Sequence, residues 1–115
     1  MDEVRRESDG ELCGYVTHHG DAWQAVTVFG AVLSTHERRD EAFETIVSDG
    51  LAALAERWTL QLPDGSRQVA CVQEAHPGVA ILALDYYPAP GVPTMKITAD
   101  MLASGDWTLT RDRPH

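Results

Sequence analysis

The sequence predicts an α+β fold: a curved antiparallel sheet in β-β-β-α-β-β-β-β-β order, with one long helix packed on one face. Three observations predict it. Most apolar residues fall in short β-branched or aromatic runs closed by glycine, proline or aspartate turns. One segment, Phe43 to Trp58, instead spaces its apolar residues by three and four. The chain has 115 residues, 43% of them apolar and 23% charged, which suits one hydrophobic core rather than two.

Residues 1–11 hold five acidic side chains and two arginines, and are expected as an acidic flexible tail before a single domain spanning 12–115. The first strand is expected over Leu12–His18, the second over Ala22–Phe29, with a Gly20-Asp21 turn between them. Gly30 breaks the run before a short third strand, Ala31–Ser34. In the helix, Phe43, Ile46, Val47, Gly50, Leu51, Leu54 and Trp58 share one face. Two starts are open: a capping box of Ser34 with Glu37, or a start near Arg39. Gly50 on the apolar face implies close approach to a strand, or a break into two helices at Ser48-Asp49-Gly50. The β period then returns in Trp58–Leu62, Arg67–Gln73, Val79–Tyr87, Thr94–Ile97 and Trp107–Thr110. Pro63-Asp64-Gly65 and His76-Pro77-Gly78 supply turns. Thr98 can cap a short helical turn over Ala99–Ser104. The apolar run Val79–Leu84 reads as a strand buried on both faces, and is far too short to cross a bilayer.

Composition narrows function by exclusion. Eighteen acidic residues against nine basic ones give a formal charge of −9, which repels phosphate backbones and anionic membranes. Nucleic acid and membrane are therefore not expected as partners; a protein with a basic surface is. The polar N-terminus carries no signal-peptide pattern, and Cys13 and Cys71 form no C-x-x-C pair. A cytoplasmic protein with free core thiols is expected, with a disulfide between the two strands as the alternative.

Three constellations bear on chemistry. His36-Glu37-Arg38-Arg39-Asp40 places His36 and Asp40 at the i, i+4 spacing of helical metal ligands, with Glu37 where a general base stands in zinc enzymes. His18 and His19 lie at the same end of the meander, and His18 can complete such a set. The plainer reading is a helix N-terminus carrying acids that suit its dipole, with no metal and no cofactor. Asp85 shares a strand face with Ile81, Ala83 and Tyr87, where desolvation would raise a carboxyl pKa toward acid–base work. The plainer reading is that the strand leaves the core at Asp85. Tyr86 and Tyr87 before a proline loop also form an aromatic contact patch, a binding surface with Asp85. His18, His19, His36 and His76, all at strand ends or turns, form the third set. Phosphate loops, nucleophile elbows and cysteine–histidine zinc patterns are absent.

Gly14–Trp58, three strands followed by a helix with Asp40-Glu41-Ala42 near its start, resembles HicB-type antitoxins and the arm-binding domains of phage integrases. That resemblance implies partner or DNA binding, and the negative charge counts against DNA; no site residue is carried across from it. The leading expectation is a small acidic, non-enzymatic interaction module that binds a basic partner. Two alternatives stand beside it. One is a small-molecule-binding protein or small enzyme with a pocket near Asp85, Tyr87 and His36; the other is a homo-oligomeric structural subunit.

Overall fold

The computed structural model describes residues 1–85 and 90–112. Its strands divide between two antiparallel sheets rather than one curved sheet. The first comprises β1 (Asp2–Arg5), β2 (Leu12–His19), β3 (Ala22–Val26) and β4 (Val32–His36), in spatial order β1-β2-β3-β4. Helix α1 (Arg39–Asp49) lies on one face of it, and a 3-10 turn, Ala52–Ala55, leads out. The second sheet comprises β5 (Arg57–Gln61), β6 (Arg67–His76), β7 (Val79–Ala83), β8 (Thr94–Thr98) and β9 (Thr108–Asp112) in the order β8-β7-β6-β5-β9, with α2 (Ala99–Ala103) between β8 and β9. No described helix is long and apolar enough to cross a membrane.

The division arises at Thr27–Ala31. The expected strand through Phe29 stops at Val26, and Thr27 closes a tight loop. Its amide donates to the Ala31 carbonyl at 2.8 Å, and its hydroxyl accepts from the Ala31 amide at 2.9 Å. Gly30 turns the chain with φ +101; a Cβ there would stand 2.7 Å from that of Ala99, so the position is closed to any side chain. The loop throws Val28 and Phe29 out of the first sheet and into the core of the second. Backbone bonds fasten it there, the Gly78 amide donating to Val28 at 3.0 Å and the Ala99 amide to Gly78 at 2.9 Å.

Each sheet buries one face in its own core. In the second, alternate residues Trp58, Leu60, Ala70, Ala80, Leu82, Ile97 and Leu109 turn inward around Phe29. In the first, Val4, Cys13, Val16 and Ala25 meet Ala42 and Ile46 of α1. Cys13 and Cys71 are both buried and free. The helix is shorter than the apolar spacing implies. It starts at Arg39, with Ser34 in β4 rather than at a cap, and it ends at Gly50, where the alternative of a break falls. A Cβ on Gly50 would lie 2.4 Å from the Cys13 carbonyl, so the helix touches β2 backbone to backbone. Trp58, the last residue of the expected helical face, belongs to β5.

The segment expected as a tail holds the edge strand β1. Val4 is fully buried against α1, and the link to β2 is closed by the Arg6 amide donating to Glu11 and the Gly10 amide to Arg6. The Arg6 guanidinium beside Asp9 lowers that carboxyl to about 2, with the Glu11 amide helping. Arg39 bonds Asp2 at 3.2 Å and ties β1 to the helix. The expected strand Val79–Tyr87 ends at Ala83, because the Leu84 amide turns to the Pro93 carbonyl at 2.8 Å; Tyr86 and Tyr87 lie outside the described residues.

The Thr98 cap is present: its hydroxyl accepts from the Met101 amide at 3.1 Å. Thr98→Ala is expected to cost about 1 kcal/mol in urea denaturation. A loss below about 0.3 kcal/mol would show that α2 is held by packing alone.

Candidate functional site

The two faces of the first sheet differ in chemistry. On the α1 side, register aligns Val16 with Ala25 and Ser34, and His18 with Trp23 and His36. On the opposite side, Thr17 pairs with Gln24 and Val26 with Val32. The face away from α1 thus carries Thr17 and Gln24 beside Val26 and Val32, and it borders a groove of about 710 Å³. The other wall comes from α2, β9 and the link between them, through Leu102, Ala103, Trp107, Thr110 and Arg111. Val26, Val32 and Leu33 supply apolar floor, with Val32 left 43% exposed. Thr17, Gln24 and His19 supply hydrogen-bonding groups.

Arg111 is the unusual member. Its side chain is only 10% exposed. The Nε atom stands 3.3 Å from Glu56 and Nη1 stands 3.9 Å from Asp49, tying β9 to the end of α1 and the start of β5. Among the described residues, Nη1 makes no hydrogen bond. Neither Asp49 nor Glu56 lines the groove.

A second cluster lies on the α1 side. His36 Nε2 is 2.7 Å from the Ser34 hydroxyl and 3.2 Å from that of Thr45. Its Nδ1 is 3.7 Å from Glu41. The order hydroxyl, imidazole, carboxylate matches the logic of an activated serine, yet two features weaken it. The carboxylate is beyond hydrogen-bond reach of the ring. Thr45 also shares the nitrogen that would accept the Ser34 proton. Thr45 donates to the Glu41 carbonyl at 3.0 Å, so the cluster fastens α1 to β4 through hydroxyls.

The other expected sites come apart. His36 ends β4 while Asp40 sits in the first turn of α1, so the i, i+4 helical geometry does not exist. His18 and His36 share a face but flank Trp23, on which His18 stacks at 4.5 Å. Among the described residues no three His, Cys, Asp or Glu side chains converge on a metal position. Asp85 is exposed beyond the end of β7, so the desolvation expected of it is absent. Its neighbour Cys71 shows what that region does to a thiol: burial pushes Cys71 up, and the Asp85 charge adds to the rise. Tyr86 and Tyr87, the rest of the expected contact patch, lie outside the described residues. His76 is exposed and stands 3.7 Å from Glu74.

The groove was not anticipated from sequence. One usable signal existed, the polar positions Thr17, His19 and Gln24 in otherwise apolar strands. Nothing local linked them to Trp107 or Arg111 near the other end of the chain.

Fold and groove together define a class: an α+β protein of two antiparallel sheets with a ligand-sized groove between them. No family model matches the chain, and no match is found among curated proteins or solved structures.

Proposed function

We propose that this chain is a small-ligand-binding module and that the groove between the sheets is its site. The observation that carries this reading is the groove itself. At about 710 Å³ it falls within the range of small-molecule sites. Its apolar floor with a few polar groups is the lining such sites use to bind by burial and orient by hydrogen bonds. A valine 43% exposed on that floor gains from being covered. The test is a fragment library screened by amide chemical shifts. Binders are expected to move Thr17, Gln24 and Thr110 together with the Trp107 indole, and Val32→Trp is expected to abolish those shifts while leaving the spectrum folded. Fragments that gather around His36 and Trp23 instead would defeat the reading.

A different observation favours a second reading, an acidic interaction module for a basic protein. Glu37, Asp40, Glu41 and Glu44 are all exposed at or near the start of α1, and α1 has no basic residue in its last turn. With a net charge of −9, capture of a basic partner would be fast and strongly weakened by salt. Reversal of Asp40 and Glu44 to lysine separates the two readings, because it should weaken such capture and leave fragment binding in the groove unchanged.

A further inference from the structure

We infer that the groove selects an uncharged ligand, a small molecule carrying a carboxamide-type group on an apolar body. This rests on the groove being the ligand site and adds the chemical class of what it takes. The molecule has a formal charge of −9, yet among the described residues no carboxylate side chain lines the groove. The Arg111 guanidinium supplies no positive donor either. It is turned to Asp49 and Glu56, its side chain is only 10% exposed, and its Nη1 is closed to solvent. Met1 and His19 are exposed members of the lining, so charge on either stays in water. A cation entering the groove would meet no counter-charge. An anion would meet no accessible cation, inside a molecule whose overall field opposes it. Either ion would give up hydration with nothing to replace it.

The polar groups that remain are neutral, and each both donates and accepts. Thr17 and Gln24 are cross-strand partners, so their side chains leave the same face of the first sheet side by side. Both are half-buried in the groove lining. Among the described residues neither side chain hydrogen-bonds within the chain. Gln68 differs, since its amide is held by the Val69 and Leu84 carbonyls. A carboxamide sets an N–H beside a C=O, as the Gln24 side chain does. The two amides pair through two bonds, Gln24 donating to the ligand carbonyl and accepting from its N–H, with the Thr17 hydroxyl beside them. A carboxylate only accepts and an ammonium only donates, so each leaves part of this pair unmatched. Val32, Leu102 and Trp107 supply the apolar contact for the rest of the ligand.

The experiment titrates the full chain with naphthamide, naphthoate and naphthylmethylammonium, one ring in three charge states. A fourth compound, N,N-dimethylnaphthamide, keeps the carbonyl and lacks the N–H. Working at about pH 8 and about 0.15 M salt keeps imidazole ordinarily neutral and screens the long-range field. Amide shifts at Thr17 and Thr110 and the Trp107 indole proton give the four dissociation constants. Naphthamide is expected to bind about tenfold more tightly than either ion, and about fivefold more tightly than its dimethyl form. Gln24→Met should bring naphthamide and dimethylnaphthamide to the same affinity. If that variant does not fold, the order of affinities in the unaltered protein still decides. Equal binding of the three charge states, or tightest binding of either ion, would overturn the uncharged class and leave the groove as a site. A Gln24→Met variant that still prefers naphthamide to its dimethyl form would overturn the amide pairing. No shift at these residues with any of the four would overturn the groove reading as well.

Discussion

Trp58→Ala is expected to destabilise the protein by about 3–5 kcal/mol, the usual loss when a buried tryptophan is truncated. Trp58 is fully buried on the inner face of β5, and it is the largest such side chain. It does three things at once. Its ring fills the second core, it meets Phe29 edge to face with centroids 5.8 Å apart, and its indole donates to the Ala53 carbonyl at 3.1 Å. The Phe29 contact comes from the loop that leaves the first sheet, and Ala53 comes from the turn after α1. Removing the ring therefore loosens two of the second sheet's links to the first, the Phe29 contact and the Ala53 bond. Against a typical net stability of about 5–15 kcal/mol, such a loss removes roughly a fifth or more of the margin, and nearly all of it at the low end of that range. Urea denaturation checks it, with a fall in midpoint at unchanged slope. Trp58→Phe, which keeps an aromatic ring but leaves Ala53 without its donor, should lose only about 1–2 kcal/mol from that bond, plus any packing defect. An alanine variant that loses less than about 1 kcal/mol would mean that the core collapses around the gap.

That junction is also where the sequence was least legible. Hairpins were readable because their turns are local: Gly20-Asp21, Pro63-Asp64-Gly65 and His76-Pro77-Gly78 each sit between strands that pair in register. The helix start near Arg39 and the close approach of Gly50 were each readable only as one of two alternatives, since spacing and a missing side chain are visible in one dimension but their packing is not. Phe29 was not. A β-branched run ending in phenylalanine looks like a continuing strand, whereas the Thr27 side chain diverts the backbone and sends that phenylalanine to the other core. Leu54 and Trp58 kept the helical spacing for a different reason. Both are apolar because the second core needs them, and the coincidence extended the apparent helix through a 3-10 turn and into a strand. The groove lay further out of reach. Its walls are an open sheet face near the start of the chain and a strand near the end, joined only by how two sheets stack. Even the candidate residues read correctly as polar strand-end groups, His18 and His36, are separated by Trp23, and only the register reveals it.

Arg111→Met should lower stability by about 2–3 kcal/mol, somewhat under the 3–5 kcal/mol seen when a fully buried ion pair loses one partner. The discount follows from exposure. Arg111 is 10% exposed at its side chain, but Asp49 and Glu56 remain 32% and 29% exposed, so water can solvate part of the charge left behind. The loss is expected to come from the two stranded carboxylates rather than from the missing attraction. Adding Asp49→Asn and Glu56→Gln to Arg111→Met tests this, because removing the charges together should recover at least half of what the single variant loses. Denaturation of the single, double and triple variants gives the coupling energies directly. Strong recovery would show that the triad adds little net stability to the fold. Failure to recover would mean that the guanidinium is needed to hold β9 against α1 and β5. The groove's wall would then depend on the same ion pairs, and a ligand that drew Arg111 toward itself would do so at the expense of the fold.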